Sequence, residues 1–261
     1  MHDWCLVTDI DGTLIGGEAS TREIRRVVLE ERRAVEARGG RLHWVIATGR
    51  RYKSTREVLL ESGFALRDFD ALVTSVGAEL YFPGEETACP TYAAHLRAGG
   101  FEREAVVAAL KGCEFLSMQS DAEQLPNKVS YFMPDRPALR ARVHEALAPL
   151  PFACETIFCH DDYLDVAPQH GGKGGAVAHL LGRFGLSVAR TVAAGDSGND
   201  TNMLAQDWPA IIVRNGWGQL AALRGRPNVY FASAKYAAGV LEGLRALGFL
   251  ASGSKRTAPA P

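Results

Sequence analysis

A short apolar run, Trp4-Cys5-Leu6-Val7-Thr8, ends in two carboxylates, Asp9 and Asp11, and then at once in Gly12-Thr13. No other stretch constrains the fold as much. On an extended segment, side chains at i and i+2 share a face. The two acids therefore converge where a buried strand stops. Like charges brought together raise the energy of at least one of them. A fold holds such a pair when a cation shares it or when one carboxyl keeps a proton. Both readings point to chemistry at a strand end rather than to packing.

Further apolar runs predict strands over 42–47, 71–76, 191–194 and 210–213, and helical patterns fall at about 21–38, 50–62, 173–185 and 199–206. Such alternation predicts an α/β fold, with a mostly parallel sheet and helices on both faces. The middle of the chain is punctuated by Pro83-Gly84, Gly99-Gly100 and Pro126 to Pro151. Its order becomes helix 101–111, strand 113–120, strand 128–133, helix 136–148, strand 152–158 and strand 161–166. That is an α+β insert, a small sheet with helices on one face. The expected organisation is a discontinuous core of 1–83 and 167–249, an inserted domain of 84–166, and a disordered tail of 250–261.

The net charge of −1 leaves no global basic field for nucleic acid. The arginines at 22, 25, 26, 32 and 33 are interleaved with Glu23, Glu30, Glu31 and Glu36, the pattern of a solvated helix face. No apolar stretch is long enough for a membrane span and the N-terminus does not read as a signal peptide, so a cytoplasmic location is expected. Five dispersed cysteines fit free thiols in a reduced compartment. Cys154, Cys159 and His160 lack the ligand count and spacing of a zinc site.

Ligands of open parallel sheets bind at the carboxyl ends of strands, and three predicted strands end in polar signals. They are Asp9-Ile10-Asp11-Gly12-Thr13, Thr48-Gly49-Arg50, and Gly195-Asp196-Ser197-Gly198-Asn199-Asp200. A fourth piece, Gly171-Gly172-Lys173-Gly174, opens a helix. Asp9, Asp11, Asp196 and Asp200 offer hard oxygen ligands of the kind Mg²⁺ prefers. The Thr48 hydroxyl and the Gly49 amide, expected at a helix N-terminus, suit phosphate oxygens. Lys173 adds a point charge for the same group. Taken singly, each piece has a plain reading as a capped turn, a structural loop or a solvated lysine. Together they describe a phosphoryl-transfer centre.

These four pieces, in this order, resemble the motifs of the haloacid dehalogenase-like hydrolase superfamily. The insert falls between the Thr48 and Lys173 motifs, as in members with a type IIB cap. Within that group, Gln119 to Tyr131, Leu164-Asp165-Val166-Ala167-Pro168-Gln169 running into Lys173-Gly174, Val213-Arg214-Asn215, and Ala237 to Leu244 are similar to segments of sucrose-phosphate phosphatases. Mannosylfructose-phosphate phosphatases share these features. Gly216-Trp217-Gly218 departs from the family pattern.

The resemblance implies a Rossmann-like core with an inserted C2B-type cap. It implies a Mg²⁺-dependent phosphatase working through an aspartyl-phosphate, with sucrose 6-phosphate as the first candidate substrate and mannosylfructose phosphate or another sugar phosphate as the alternative. A sugar phosphotransferase or mutase, and a non-catalytic phosphosugar sensor bound to a glycosyltransferase, are further readings. A glycosyltransferase of the same pathway is the expected protein partner. Asp9 is the expected nucleophile and, with Asp196, a metal ligand. Asp11 would lend the metal its backbone carbonyl and keep its carboxyl, raised in pKa by burial among other acids, as acid and base. Thr48 and Lys173 would hold the phosphoryl group, and Gly49 and Asn199 would donate to it. Asp200 would bind a metal-bound water or orient Lys173. Gln119 and Lys128 read as sugar contacts or as exposed strand polarity. Asn215 reads as a pocket residue or a turn, and Arg50 as helix surface, with the active-site rim as the alternative.

Overall fold

Strand β1 (Trp4–Thr8) is buried along its whole length, and its side chains serve two cores by strict alternation. Trp4 and Leu6 pack into one cluster, Cys5 and Val7 into the other. A strand buried on both faces is the signature of a parallel sheet between two helical layers. A computed structural model describes residues 3–134, 136–159 and 162–251.

The main sheet has seven strands. β1 lies at its centre, between β2 (Leu42–Ala47) and β9 (Thr191–Gly195). Beyond β2 come β3 (Ala71–Thr74) and β4 (Glu79–Tyr81), and beyond β9 come β10 (Ala210–Ile212) and β11 (Val229–Phe231). Every pairing is parallel except β3 with β4. Helices α1 (Glu18–Ala37), α2 (Tyr52–Glu61) and α8 (Tyr236–Ala246) cover one face. Helices α3 (Pro90–Arg97), α6 (Gly172–Phe184) and the short α7 (Thr201–Leu204) cover the other. α1 turns Thr21, Ile24, Val28 and Val35 inward at helical spacing. Its arginines are only partly solvated: Arg26 pairs with Glu30 one turn on, whereas Arg25 and Arg32 reach across to Asp68 and Asp70.

The second sheet is antiparallel, in the order β5 (Ser117–Met118), β6 (Val129–Phe132), β8 (Tyr163–Pro168), β7 (Cys154–Cys159). Val129, Tyr131, Leu164 and Val166 face α4 (Arg103–Leu110) and α5 (Pro137–Leu147) and form a third core with Val106, Leu110 and Val143. By alternation the opposite face carries Lys128, Ser130, Phe132, Tyr163 and Asp165. On that face Ile157 and Ala167 pack on Val76 of the main domain, so this sheet sits as a cap over the end of the larger one.

Several boundaries differ from the sequence expectations. The strand expected over 71–76 stops at Thr74, because Ser75 and Val76 take positive φ values of 52° and 61°. The strand expected over 113–120 shrinks to two residues. β4, α3 and β11 are too short for a periodic signal. The expected junction at 166/167 falls inside β8, and Leu250, assigned to the tail, is buried in the core. The rest of that tail (252–261) and His160 lie outside the described residues. All five cysteines are free. Among the described residues no helix is long and apolar enough to cross a membrane.

Leu6 is fully buried in the core beneath α1 and α8. Leu6→Ala should cost about 3 kcal/mol of stability, the usual toll of a buried Leu truncation, measured as a shift of the urea midpoint. A loss within error of zero would contradict this packing.

Candidate active site

The parallel register brings the polar signals to one edge. Thr8 pairs with Ile46 on one side and Ala194 on the other, so the residues that follow each strand emerge side by side. Asp9 fixes the first of them, its N–H donating to Ala194 O at 3.0 Å. The loop that follows closes tightly, with Gly12 N–H on Ile15 O at 3.1 Å. Gly12 has φ +76°, and a Cβ there would lie 2.2 Å from Asp196 Oδ2. Only glycine lets the two acidic loops approach this closely.

Lys173 sits at the centre, 0% exposed. Its ammonium donates to Asp9 Oδ1 at 2.9 Å, Asn199 Oδ1 at 2.7 Å and Asp200 Oδ1 at 2.6 Å. A lysine has three donors, and all three are used. Burial alone would depress the ammonium; Asp200 and Asp9 outweigh it and hold it above its ordinary value. The other oxygen of Asp200 accepts the N–H groups of Asp196 and Ser197 at 2.9 and 3.0 Å. Both oxygens of this carboxylate are therefore filled from within the protein. Asp196 accepts Thr13 Oγ1 at 2.7 Å and Asn215 Nδ2 at 3.1 Å.

Asp9, Asp196 and Asp200 place ligand atoms within 4.8 Å of one another. Three carboxylates against one ammonium leave an excess of negative charge. Burial pushes the Asp9 carboxyl up to about 8, opposed by Lys173 and helped by Asp200. Burial also pushes Asp196 up to about 6, again with Asp200 adding to the rise. An oxygen-rich cluster that resists full ionisation on its own suits a hard divalent cation.

Thr48 is buried beside this cluster, and Asn199 Nδ2 lies 3.2 Å from where a Cβ on Gly49 would stand. Gly49 precedes the helix rather than opening it, since α2 begins at Tyr52. Asp11 departs further from expectation. It is not buried among acids: its side chain is 51% exposed and is gripped by Arg50 through bonds of 2.6 and 2.7 Å. Arg50 also holds Ser54 Oγ at 2.8 Å. Of the two readings of Arg50, helix surface and active-site rim, the pairing with the acid/base candidate fits the rim.

Asn215 is not free for a ligand. Its Nδ2 donates to Gly12 O at 2.8 Å and to Asp196, while its Oδ1 accepts Tyr236 N–H. It ties together the loops after β1, β9 and β10. Gln119 donates to Tyr131 O on the neighbouring strand. Lys128 is not exposed strand polarity: it is buried and donates to Asp165 Oδ1 at 3.1 Å, which Ser130 Oγ also reaches at 2.5 Å.

The same cap face holds an exposed aromatic pair, Phe132 and Tyr163, with ring centroids 5.6 Å apart. Tyr163 is register partner to Cys159, whose sulfur faces the Asn199 amide and the Ser197 hydroxyl. Burial pushes that thiol up to about 11. Phe132, Tyr163 and Asp165 escaped the sequence reading. The period-two pattern Lys128, Ser130, Phe132 was the available signal.

A two-domain fold with an acidic cluster and a buried lysine at the carboxyl edge of its parallel sheet defines a haloacid dehalogenase-like phosphohydrolase. The family model for sucrose-6F-phosphate phosphohydrolase matches residues 2–248, and the chain belongs to that family. Its members are phosphoric monoester hydrolases, and so is this chain. It is 28% identical to a mannosylfructose-phosphate phosphatase from Agrobacterium fabrum, over 92% of this chain and 95% of the relative. It is 28% identical to sucrose-phosphatase 1 of Nicotiana tabacum, over 77% of this chain but only 49% of that protein. Its structure superposes on the sucrose-phosphatase of Synechocystis sp. PCC6803, determined with sucrose and phosphate, with a TM-score of 0.84 and 28% identity. That match covers 95% of this chain and 99% of the other.

The raised carboxyls set a pH dependence. Asp9 and Asp196 hold protons in the folded, metal-free protein at pH values where the unfolded chain has lost them. Stability of the metal-free protein should therefore fall as pH rises from about 4 to about 8. A divalent cation needs ionised ligands, so the rise in Tm it produces should grow over the same window. Thermal unfolding in chelator and in excess Mg²⁺, across that pH range, checks both slopes. A cation effect that shrinks with pH would contradict the assignment.

Proposed function

We propose that this chain is a Mg²⁺-dependent phosphatase of phosphorylated disaccharides, with sucrose 6-phosphate the leading substrate and mannosylfructose phosphate the alternative. The observation that carries the reading is the Lys173 clamp. It holds Oδ1 of Asp9 at the carboxyl edge of the parallel sheet, and the cap face carries polar groups and an aromatic pair.

In the forward step Asp9 attacks phosphorus. The bond from phosphorus to the sugar oxygen breaks, and the leaving oxygen takes a proton from the Asp11 carboxyl. In the second step Asp11, now a carboxylate, takes a proton from water. The water oxygen displaces Asp9 from phosphorus and releases inorganic phosphate. Asp9 and Asp196, with the Asp11 backbone carbonyl, would hold Mg²⁺, which when bound neutralises the repulsion between carboxylate and phosphate dianion. Asp200, with both oxygens filled, orients Lys173. Thr48 donates to the phosphoryl oxygens, and Lys173, its three donors already taken, steadies them by charge alone. Asn199 turns its Oδ1 to Lys173, which leaves its amide donor facing Gly49 and the same oxygens. Arg50 holds both Asp11 oxygens and must release one of them for Asp11 to exchange a proton with the sugar oxygen.

A disaccharide needs both hydrogen-bond partners and an apolar platform. The Lys128–Asp165–Ser130 network and the Phe132–Tyr163 pair supply these on one face. Gln119 stands beside them on the strand connection. The relatives give no support to a glycosyltransferase partner.

Asp9→Asn should abolish phosphate release from every ester while leaving the folded circular-dichroism spectrum intact; retained turnover would overturn the mechanism. Phe132→Ala should raise KM for sucrose 6-phosphate about tenfold, the worth of a lost aromatic contact, and leave p-nitrophenyl phosphate hydrolysis within about twofold. In a screen of phosphorylated sugars, kcat/KM should be greatest for a disaccharide phosphate. A maximum on a simple hexose phosphate would remove the disaccharide assignment.

A further inference from the structure

Lys173 lies between two glycines, and both are moulded around one residue of the main domain, Asn202. A Cβ on Gly172, where φ is +72°, would come 2.2 Å from Asn202 Nδ2, and one on Gly174 would come 2.5 Å from Asn202 O. Asn202 belongs to α7, two residues after Asp200. Its Oδ1 accepts the Gly174 N–H at 3.0 Å, and its Nδ2 stands 3.5 Å from Gly171 O. The same Nδ2 donates at 3.1 Å to Glu155 Oε1, on β7 of the cap. One amide thus touches the backbone on both sides of Lys173, its oxygen on Gly174 and its nitrogen on Gly171, and the same nitrogen holds the cap.

Glycine-flanked backbone has many alternatives to the geometry seen here. Outside groups hold the turn that carries Lys173: Gly77 packs against Gly172, and Asn202 accepts the Gly174 N–H. When the cap is seated, Glu155 fixes the Asn202 amide, with Nδ2 toward the cap and Oδ1 toward Gly174. When the cap lifts, Nδ2 keeps only the long contact to Gly171, and the amide is free to rotate away from the Gly174 N–H. We propose that Asn202 is a positioning residue that couples seating of the cap, through Glu155, to the placement of Lys173. The proposal rests on the phosphatase reading for its kinetic consequence: the phosphoryl clamp is complete only under a closed cap. The cap then does more than enclose the sugar. It tightens the cation that holds the phosphoryl group.

The test separates the amide's contact with Gly174 from its contact with the cap. Asn202→Asp keeps the acceptor for Gly174 and turns a carboxylate toward Glu155. Glu155→Gln alone keeps an acceptor for Asn202, and in the double variant it supplies a donor to the new carboxylate. With p-nitrophenyl phosphate and Mg²⁺, Asn202→Asp should lower kcat about tenfold with KM changed less, the size of effect expected for groups coupled through one contact. Glu155→Gln alone should stay within about twofold of the parent. The Asn202→Asp/Glu155→Gln pair should recover most of the lost kcat. Calorimetric titration with inorganic phosphate should show the same order of affinities, and Tm should not follow it. A double variant as impaired as Asn202→Asp in both readouts overturns the coupling. If the parent chain hydrolyses no ester, the phosphatase reading fails, and the coupling is then judged on phosphate affinity alone.

Discussion

A buried ammonium with three acceptors organises this molecule. Lys173 has no contact with solvent, and an unpaired charge in that position would be prohibitively costly. Its counter-charges are Asp9 from the loop after β1 and Asp200 from the loop after β9, and Asn199 accepts the third N–H. The strand order places those loops side by side, because β1 and β9 are adjacent and parallel. The fold and the charge cluster therefore support each other. The sheet delivers the carboxylates, and the lysine makes their proximity tolerable. Two negative charges are left over, and the raised Asp9 and Asp196 carboxyls record them. A site that is short of positive charge is suited to a cation and to a substrate that arrives with one.

The cap depends on the same arrangement. It meets the main domain through Ile157 and Ala167 on Val76, through Asn127 on Ala78 O at 2.8 Å, and through Glu155 on Asn202. All three contacts lie close to loops that carry site residues. Its inward face is divided between a buried ionic network at Lys128 and Asp165 and an exposed aromatic pair further along the strands. Such a face has one function for chemistry, which is to exclude water from the phosphoryl group, and another for recognition.

Much of this was legible in the amino-acid order. Apolar runs at 4–8 and 42–47 coincide with β1 and β2 because both strands are buried throughout and leave an uninterrupted signal. The convergence of Asp9, Thr48, Lys173 and Asp196 follows from strand-end chemistry once a parallel sheet is granted. What escaped has physical reasons. Asp11 and Arg50 form a pair between two loops 39 residues apart, and no local pattern announces it. Lys128 reads from the sequence as a sugar contact or as exposed strand polarity, because its partner Asp165 lies on another strand, 37 residues on. Asn215, which follows a core strand, reads as a pocket residue or a turn, and its amide is consumed in joining three loops. The short elements β4, α3 and β11 are set by tertiary contacts, and their few residues carry too little periodicity to be read.

The central claim is that Asp9, aimed by Lys173, becomes covalently phosphorylated. Quenching the enzyme in acid during turnover of a sugar phosphate, reducing the acyl phosphate with borohydride, and mapping the product by peptide mass spectrometry tests it directly. The account predicts that Asp9 is converted to homoserine, in proportion to enzyme undergoing turnover. Conversion of a different residue, or none while phosphate is being released, would contradict it.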